Sequence, residues 1–290
     1  MTMDALDYLQ PGDRMGTAPA SVPTDGVLGR IGSLETRIAL TDSEIDAAQA
    51  VRYRVFVEEM QAQLPAEAML RKRDFDKWDD ICDHLLVLDR NIDGDPEDQI
   101  VATYRLLRQD VAMQHGGFYS DSEYLTEALV ARHPDIRFME LGRSCVLPDY
   151  RSKRTVELLW QGNWAYALKH NIGVMFGCAS FHGTDPAAHA TALSFLYHNA
   201  RATGDWAVSA RPELAVDMNM LPAEEVSGRR ALTALPPLVK GYLRLGAMIG
   251  DGAVVDHAFN TTDVLVVLPI ASISDRYINY YGADAGRFAS

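Results

Sequence analysis

Alternating and periodic apolar positions divide the chain into a short series of elements. Leu34 to Leu40 alternates apolar and polar residues as a half-buried strand does, and Thr41-Asp42-Ser43-Glu44 follows with the spacing of a helix capping box. Beyond that cap Ile45, Ala48, Val51 and Val55 recur at helical spacing, which leaves Arg52, Arg54, Glu58 and Glu59 for a charged outer surface. Phe56 leads into a polar stretch expected to be mobile. Arg71 to Asp83 crowds Asp74, Asp76, Asp79, Asp80 and Asp83 around Phe75 and Trp78 and reads as a loop with a helical turn. His84 to Leu88 and Ile100 to Tyr104 are apolar and strand-length, separated by the turn signal Asp93-Gly94-Asp95-Pro96, and predict an antiparallel pair.

The second half repeats the pattern with longer elements. A short helix is expected near Ser122 to Ala131 and a strand over Phe138 to Leu147. Thr155 to His170 carries an apolar stripe of Val156, Leu159, Trp160 and Ala167, with Lys169 and His170 complementing the helix C-terminus. Val174 to Phe181 reads as a strand, and Asp185-Pro186 opens a helix through Ala200. Leu235 to Leu245 predicts one more helix, and Ala253 to Phe259 and Asp263 to Leu268 predict strands around Asn260-Thr261-Thr262. Mostly antiparallel strands with interspersed helices make an α+β fold. Met1 to Gly32 lacks the basic and apolar regions of a secretory signal and is expected to be a flexible leader, ahead of a single domain over 33–290.

Composition narrows the function classes. With 48% hydrophobic and 23% charged residues the 290-residue chain is ordinary for a globular protein. Its longest apolar run, Val264 to Ile270, is far short of the roughly 20 residues of a membrane-spanning helix. The formal charge of -13 disfavours general binding to nucleic acid or anionic lipid, so an acidic partner must be met by a local basic patch. Cys82, Cys145 and Cys178 lie in apolar surroundings without CxxC spacing, which points to core thiols rather than disulfides or zinc ligands. The expected location is the cytoplasm.

One strand carries a charge conflict. In a regular strand Glu140 and Arg143 point to opposite faces, and Arg143 shares its face with Met139, Leu141, Cys145 and Leu147, where an unpaired charge is costly. Gly142 marks a place for a bulge, which shifts the register by one residue and re-aims the next side chain, so that Glu140 and Arg143 face one cleft. Two other patterns are set aside. His84 to Asp89 matches an HxxxxD acyltransferase spacing, but positions five apart in a buried strand point oppositely. His182, Asp185 and His189 read as a helix cap with packed or solvated histidines rather than a metal site.

Arg137 to Val146, Met175 to Phe181, and Pro236 to Ala247 with Asp256 and Phe259 to Asp263 together resemble the ornithine-acyl carrier protein N-acyltransferases of ornithine-lipid synthesis. These belong to the GNAT superfamily and are related to N-acyl-homoserine lactone synthases. The resemblance spans about Ile38 to Tyr281. It implies a GNAT fold whose fourth and fifth strands, here Phe138 to Leu147 and Val174 to Phe181, splay apart around the phosphopantetheine thioester. It also implies transfer of a fatty or 3-hydroxy-fatty acyl group from acyl carrier protein to the α-amine of L-ornithine, giving lyso-ornithine lipid. No permanently bound cofactor is expected; the acyl-phosphopantetheine of the carrier is a co-substrate. Glu140 is the expected general base, and Arg143 is expected to orient it or the acceptor carboxylate.

GNAT enzymes using coenzyme A commonly hold its pyrophosphate on a Gly-rich turn at a helix N-terminus. Here Asp149 to Thr155 has no glycine, so Arg151, Lys153 and Arg154 are the expected donor-binding cations, with Cys145 and Val146 bordering the same channel. Three basic residues there oppose the helix dipole, which favours a binding role over a structural one. Asp76, Asp79 and Asp83, with Arg54 and Phe56, are the expected acceptor-binding residues. An N-acyl-homoserine lactone synthase using S-adenosylmethionine, or a silent carrier-protein or lipid-binding module, fits the same motifs. The amphiphilic product is expected to enter the membrane, where a second acyltransferase follows and the protein docks peripherally at the inner membrane.

Overall fold

The computed structural model describes residues 26–273. Among these the chain runs β1 (Val27–Ile31), β2 (Leu34–Ile38), α1 (Asp42–Tyr53), a π-helical stretch over Arg54–Glu59, α2 (Ala66–Arg71), β3 (Asp83–Asp89) and β4 (Ile100–Arg108). It continues through α3 (Gln109–Ala112), α4 (Thr126–Ala131), β5 (Phe138–Val146), α5 (Lys153–Lys169), β6 (Val174–His182) and α6 (Ala190–Ala200). Then come α7 (Gly228–Ala234), α8 (Pro237–Arg244), β7 (Met248–Ile249), β8 (Val254–Asp256) and β9 (Thr261–Pro269). The strands form one sheet in the order β1-β2-β3-β4-β5-β6-β9-β7, with β8 also pairing with β9. Every described pair of strands is antiparallel except β5 with β6. The α+β reading therefore holds.

Helices cover both faces of the sheet, and β3 shows why its sequence is a continuous apolar run. Leu85 and Val87 point into the core under α5 with Leu158 and Leu159, while Leu86 and Leu88 point the other way to Ala48, Val51 and Val55. Helix α5 lies tight on the sheet at Gly162, where a Cβ would come within 2.8 Å of Leu85 Cδ1. At the start of α1 the Thr41 hydroxyl accepts the Glu44 N–H at 3.2 Å, as the capping pattern predicts, and the Glu44 carboxylate accepts from the Leu40 N–H at 2.7 Å.

Three expectations need correction. Of the expected leader 1–32, residues 1–25 lie outside the described residues, but Val27–Ile31 is a strand paired with β2; Val27 and Leu28 are buried and anchor it. The polar stretch after Phe56 begins inside the helix: α1 widens into the π-helical Arg54–Glu59, and the chain leaves it only at Met60. The strand expected over Ala253 to Phe259 stops at Asp256, whose Oδ1 accepts the N–H groups of Ala258 and Phe259 at 2.8 and 3.0 Å and turns the chain.

The parallel contact is short. β5 and β6 pair only at Phe138 with Val174, Met139 with Met175 and Glu140 with Phe176, whereas β6 stays paired to β9 along its whole length. The fork begins at Gly177, where a Cβ would stand 2.2 Å from the Leu141 carbonyl oxygen. Only glycine lets the two backbones pass that closely before they diverge.

Candidate active site

A cleft of about 710 Å³ fills the fork. Its walls are Gly142 to Val146 of β5 and Cys178 to Ser180 of β6; Phe56, Trp78, Tyr119, Trp160 and Phe259 supply aromatic surface. Arg151 to Lys153, at the start of α5, line it too.

The conflict in β5 is resolved by a bulge. Gly142 pairs with Arg105 and Cys145 with Thr103, so Arg143 and Ser144 together oppose Tyr104 alone. The residue that adopts the left-handed conformation is Arg143, at φ 51°, and not Gly142. Its re-aimed guanidinium stands 4.3 Å from the centre of the Phe259 ring and 5.0 Å from that of Tyr119, with Nε 3.2 Å from Asp74 and a terminal nitrogen 3.3 Å from Asp76. Burial works against its charge, and Asp74, Tyr119 and Asp76 outweigh it, raising the Arg143 pKa.

Glu140 is buried on the same cleft. Its carboxylate accepts the N–H groups of Tyr119 and Ser120 at 2.7 and 2.9 Å and the Ser120 hydroxyl. Burial raises its pKa, and these donors and Arg105 only partly offset the rise. Two carboxylate oxygens offer about four lone-pair positions. Three donors leave room for one more. Cys145 also lines the cleft, but burial pushes its thiol up to about 12, so at neutral pH it is not a thiolate.

The expected acceptor residues are scattered. Phe56 lines the cleft, edge-on to Phe259 at 5.6 Å, carried there by the π-helical turn. Arg54 is exposed and outside it. Asp76 sits behind the wall, bonded to Arg105 at 2.6 Å. Asp79 is consumed by Arg52, which was expected on the surface and is instead wholly buried: two bonds of 2.7 and 2.9 Å join the pair, and Nε of Arg52 bonds Asp74 at 2.8 Å. Burial tends to raise the Asp79 carboxyl, and Arg52 overrides it to hold the pKa below the ordinary range. Asp83 lies on another surface, bonded to the Tyr166 hydroxyl and 3.8 Å from Arg108. Asp79 and Asp83 thus serve the fold, not the cleft.

The residues expected to bind the donor gather at the mouth. Arg151 forks onto Glu59 at 2.6 and 2.5 Å and reaches the Val146 carbonyl at 3.1 Å. Lys153 stands 3.4 Å from Glu157, and Arg154 is exposed beside it. The Ser152 hydroxyl accepts the Thr155 N–H at 3.4 Å and caps α5. Val146 lines the cleft between this mouth and the bulge.

Acids that sequence reasoning left without a role line the opposite wall. Asp256 and Asp263 border the cleft, with Glu123 beside them. Asp263 is the one carboxylate in an otherwise uncharged buried strand, which is the signal that sets it apart. The thiol of Cys178 donates to Glu123 at 3.4 Å. Burial and Asp263 push Glu123 up to about 7; burial pushes Asp263 up to about 6. Among the described residues no His, Cys, Asp and Glu group is arranged to hold a metal ion.

A family model described as an acetyltransferase (GNAT) domain matches residues 51–161. The chain is 66% identical over 293 residues to the L-ornithine N(alpha)-acyltransferase of Rhizobium meliloti (strain 1021), covering 100% of this chain and 99% of that one. It is 68% identical over 263 residues to the protein of the same name from Agrobacterium fabrum, covering 91% and 90%. The solved AHL synthase LasI aligns over 87% of this chain and 96% of its own, with a TM-score of 0.46 and 12% identity. Given such identity over nearly the whole of both chains, this chain belongs to the family of the L-ornithine N(alpha)-acyltransferases and is an N-acyltransferase with a GNAT fold.

Proposed function

We propose that the cleft transfers a fatty acyl group, 3-hydroxylated or not, from acyl carrier protein to the α-amine of L-ornithine, yielding lyso-ornithine lipid. The observation that carries this reading is the 66% identity, over the full length of both chains, to a protein named L-ornithine N(alpha)-acyltransferase. The glycine-free basic turn at the mouth supports a carrier-protein donor. One phosphodiester needs cations more than the close backbone cradle that a pyrophosphate takes, and an exposed pair such as Arg151 with Glu59 re-pairs at little cost. Arg151, Lys153 and Arg154 also meet the acidic surface of such a carrier.

In this reading the thioester lies in the fork, with its carbonyl against the bulge at Arg143 and Ser144, where an N–H that a bulge frees from the ladder stabilises the developing oxyanion. Glu140, directly or through a water, takes the proton that makes the α-amine nucleophilic. The nitrogen forms a bond to the carbonyl carbon, the carbon–sulfur bond breaks, and the carrier leaves as its thiol after gaining a proton. Arg143 orients the acceptor carboxylate. No acyl-enzyme is needed, in keeping with the high pKa of Cys145.

Incubating the protein with acyl carrier protein thioester and ornithine, and weighing the product by mass spectrometry, tests the reading. Acyl-coenzyme A replaces the donor in one arm and S-adenosylmethionine the acceptor in another. Acylated ornithine from the carrier thioester is the expected product. A homoserine lactone product, or binding without transfer, overturns it.

A further inference from the structure

Asp263 is 7% exposed, lines the cleft, and its Oδ1 has no hydrogen-bond donor. A buried carboxylate oxygen left unpaired is costly unless a ligand completes it. Strand register gathers further negative groups around it. Ser180 of β6 pairs with Asp263, and Asp256 of β8 pairs with Thr261, two residues before Asp263 on the same face of β9. Glu123 approaches from the 3₁₀ turn over Tyr119–Ser122 and interacts electrostatically with both aspartates. The groups facing Asp263 include the hydroxyls of Ser180 and Thr261, which temper its basicity, and Arg143, which faces it from β5.

We propose that Asp263, backed by Asp256 and Glu123, forms the subsite for the side-chain ammonium of a dibasic amino-acid acceptor. This rests on the acceptor being an amino acid, as proposed above. Distance along the sheet favours the side-chain amine over the reacting one. The thioester carbonyl belongs at the bulge of β5, while Asp263 lies in β9, beyond β6, on the side where the fork has opened. An acceptor whose carboxylate meets Arg143 and whose α-amine meets the thioester has only its side chain left to reach that wall. Neutral amino acids of the same length leave Asp263 Oδ1 buried without a donor and are disfavoured.

The test compares ornithine with norvaline, which has the same length but lacks the terminal amine, using wild type, Asp263→Asn and Glu123→Gln. Turnover with acyl carrier protein thioester and calorimetric binding of each amino acid are both measured, and thermal unfolding checks that the variants fold. Losing a charge-assisted bond is expected to raise the ornithine KM and Kd of Asp263→Asn about 10- to 100-fold, while norvaline, which no longer faces a buried charge, binds as well as to wild type or better. Glu123→Gln gives a smaller change in the same direction. Equal losses for both amino acids, or an unchanged ornithine Kd in a folded variant, overturn the assignment. If wild type binds ornithine and prefers it to norvaline but acylates neither, the subsite stands and the transfer reading fails.

Discussion

Arg52 and Asp79 join through two hydrogen bonds of 2.7 and 2.9 Å in the core, and Arg52 has no exposed surface. The same guanidinium holds Asp74, which in turn lies 3.2 Å from Arg143, so α1, the aspartate-rich loop and the cleft wall share one charge network. Arg52→Ala buries these carboxylates without their main cation. A loss of about 3–5 kcal/mol in unfolding free energy is expected from urea denaturation at pH 7. A loss under about 1 kcal/mol would show that the network carries little of the fold.

Gly177→Ala sets a methyl group 2.2 Å from the Leu141 carbonyl oxygen, and its nearest neighbours are all Leu141 backbone, which cannot swing aside as a side chain can. The fork must shift to admit it. An overpacking cost of about 1–3 kcal/mol is expected, together with a fall in acyl transfer, whereas alanine at Gly142, where a Cβ meets only Arg105 at 3.9 Å, should be tolerated better by the fold. Melting temperatures of the two variants side by side decide the point.

Glu140→Gln is expected to lower kcat about 10²- to 10⁴-fold if Glu140 accepts the amine proton. Because burial raises its pKa, the wild-type rate should climb with pH through a value above the ordinary glutamate range. The variant should lose that limb. Since Glu140 also holds the Tyr119 and Ser120 amides, a variant that loses stability yet keeps the wild-type pH profile would mark the residue as structural only.

Asp263→Asn gives a stability difference that depends on pH. The carboxyl titrates at about 6 in the folded protein against an ordinary 3.8, so the folded state holds its proton more tightly. The contribution is full below about pH 4 and is lost as pH rises through about 6. Asparagine resembles the protonated form, so the variant should match wild type near pH 4 and exceed it by up to about 3 kcal/mol above pH 7. Chemical denaturation at both pH values measures it; an identical difference at each rules the buried charge out.

How much of this was legible in sequence depended on whether partners were near in the chain. The cap at Thr41, the α5 stripe and the turn between β3 and β4 are local signals, and each element formed where they stood. Arg52 looked like a surface residue because its partners lie 22 and 27 positions away, in a loop with no periodicity. The bulge was readable from a charge on an apolar face, although Arg143 rather than the glycine bends the strand. Asp263 gained meaning only from the register of β9 against β6 and β8.

That wall bears on which of two amines reacts. Under the proposed assignment, a cleft with guanidinium at one wall and carboxylates at another would admit a zwitterion with a charged tail in one direction only, as a polarised plug enters its socket. An amine seated against Asp263 stays protonated and has no lone pair to offer. The regiochemistry of acylation would then be set by electrostatics at the wall rather than by the shape of the reacting centre.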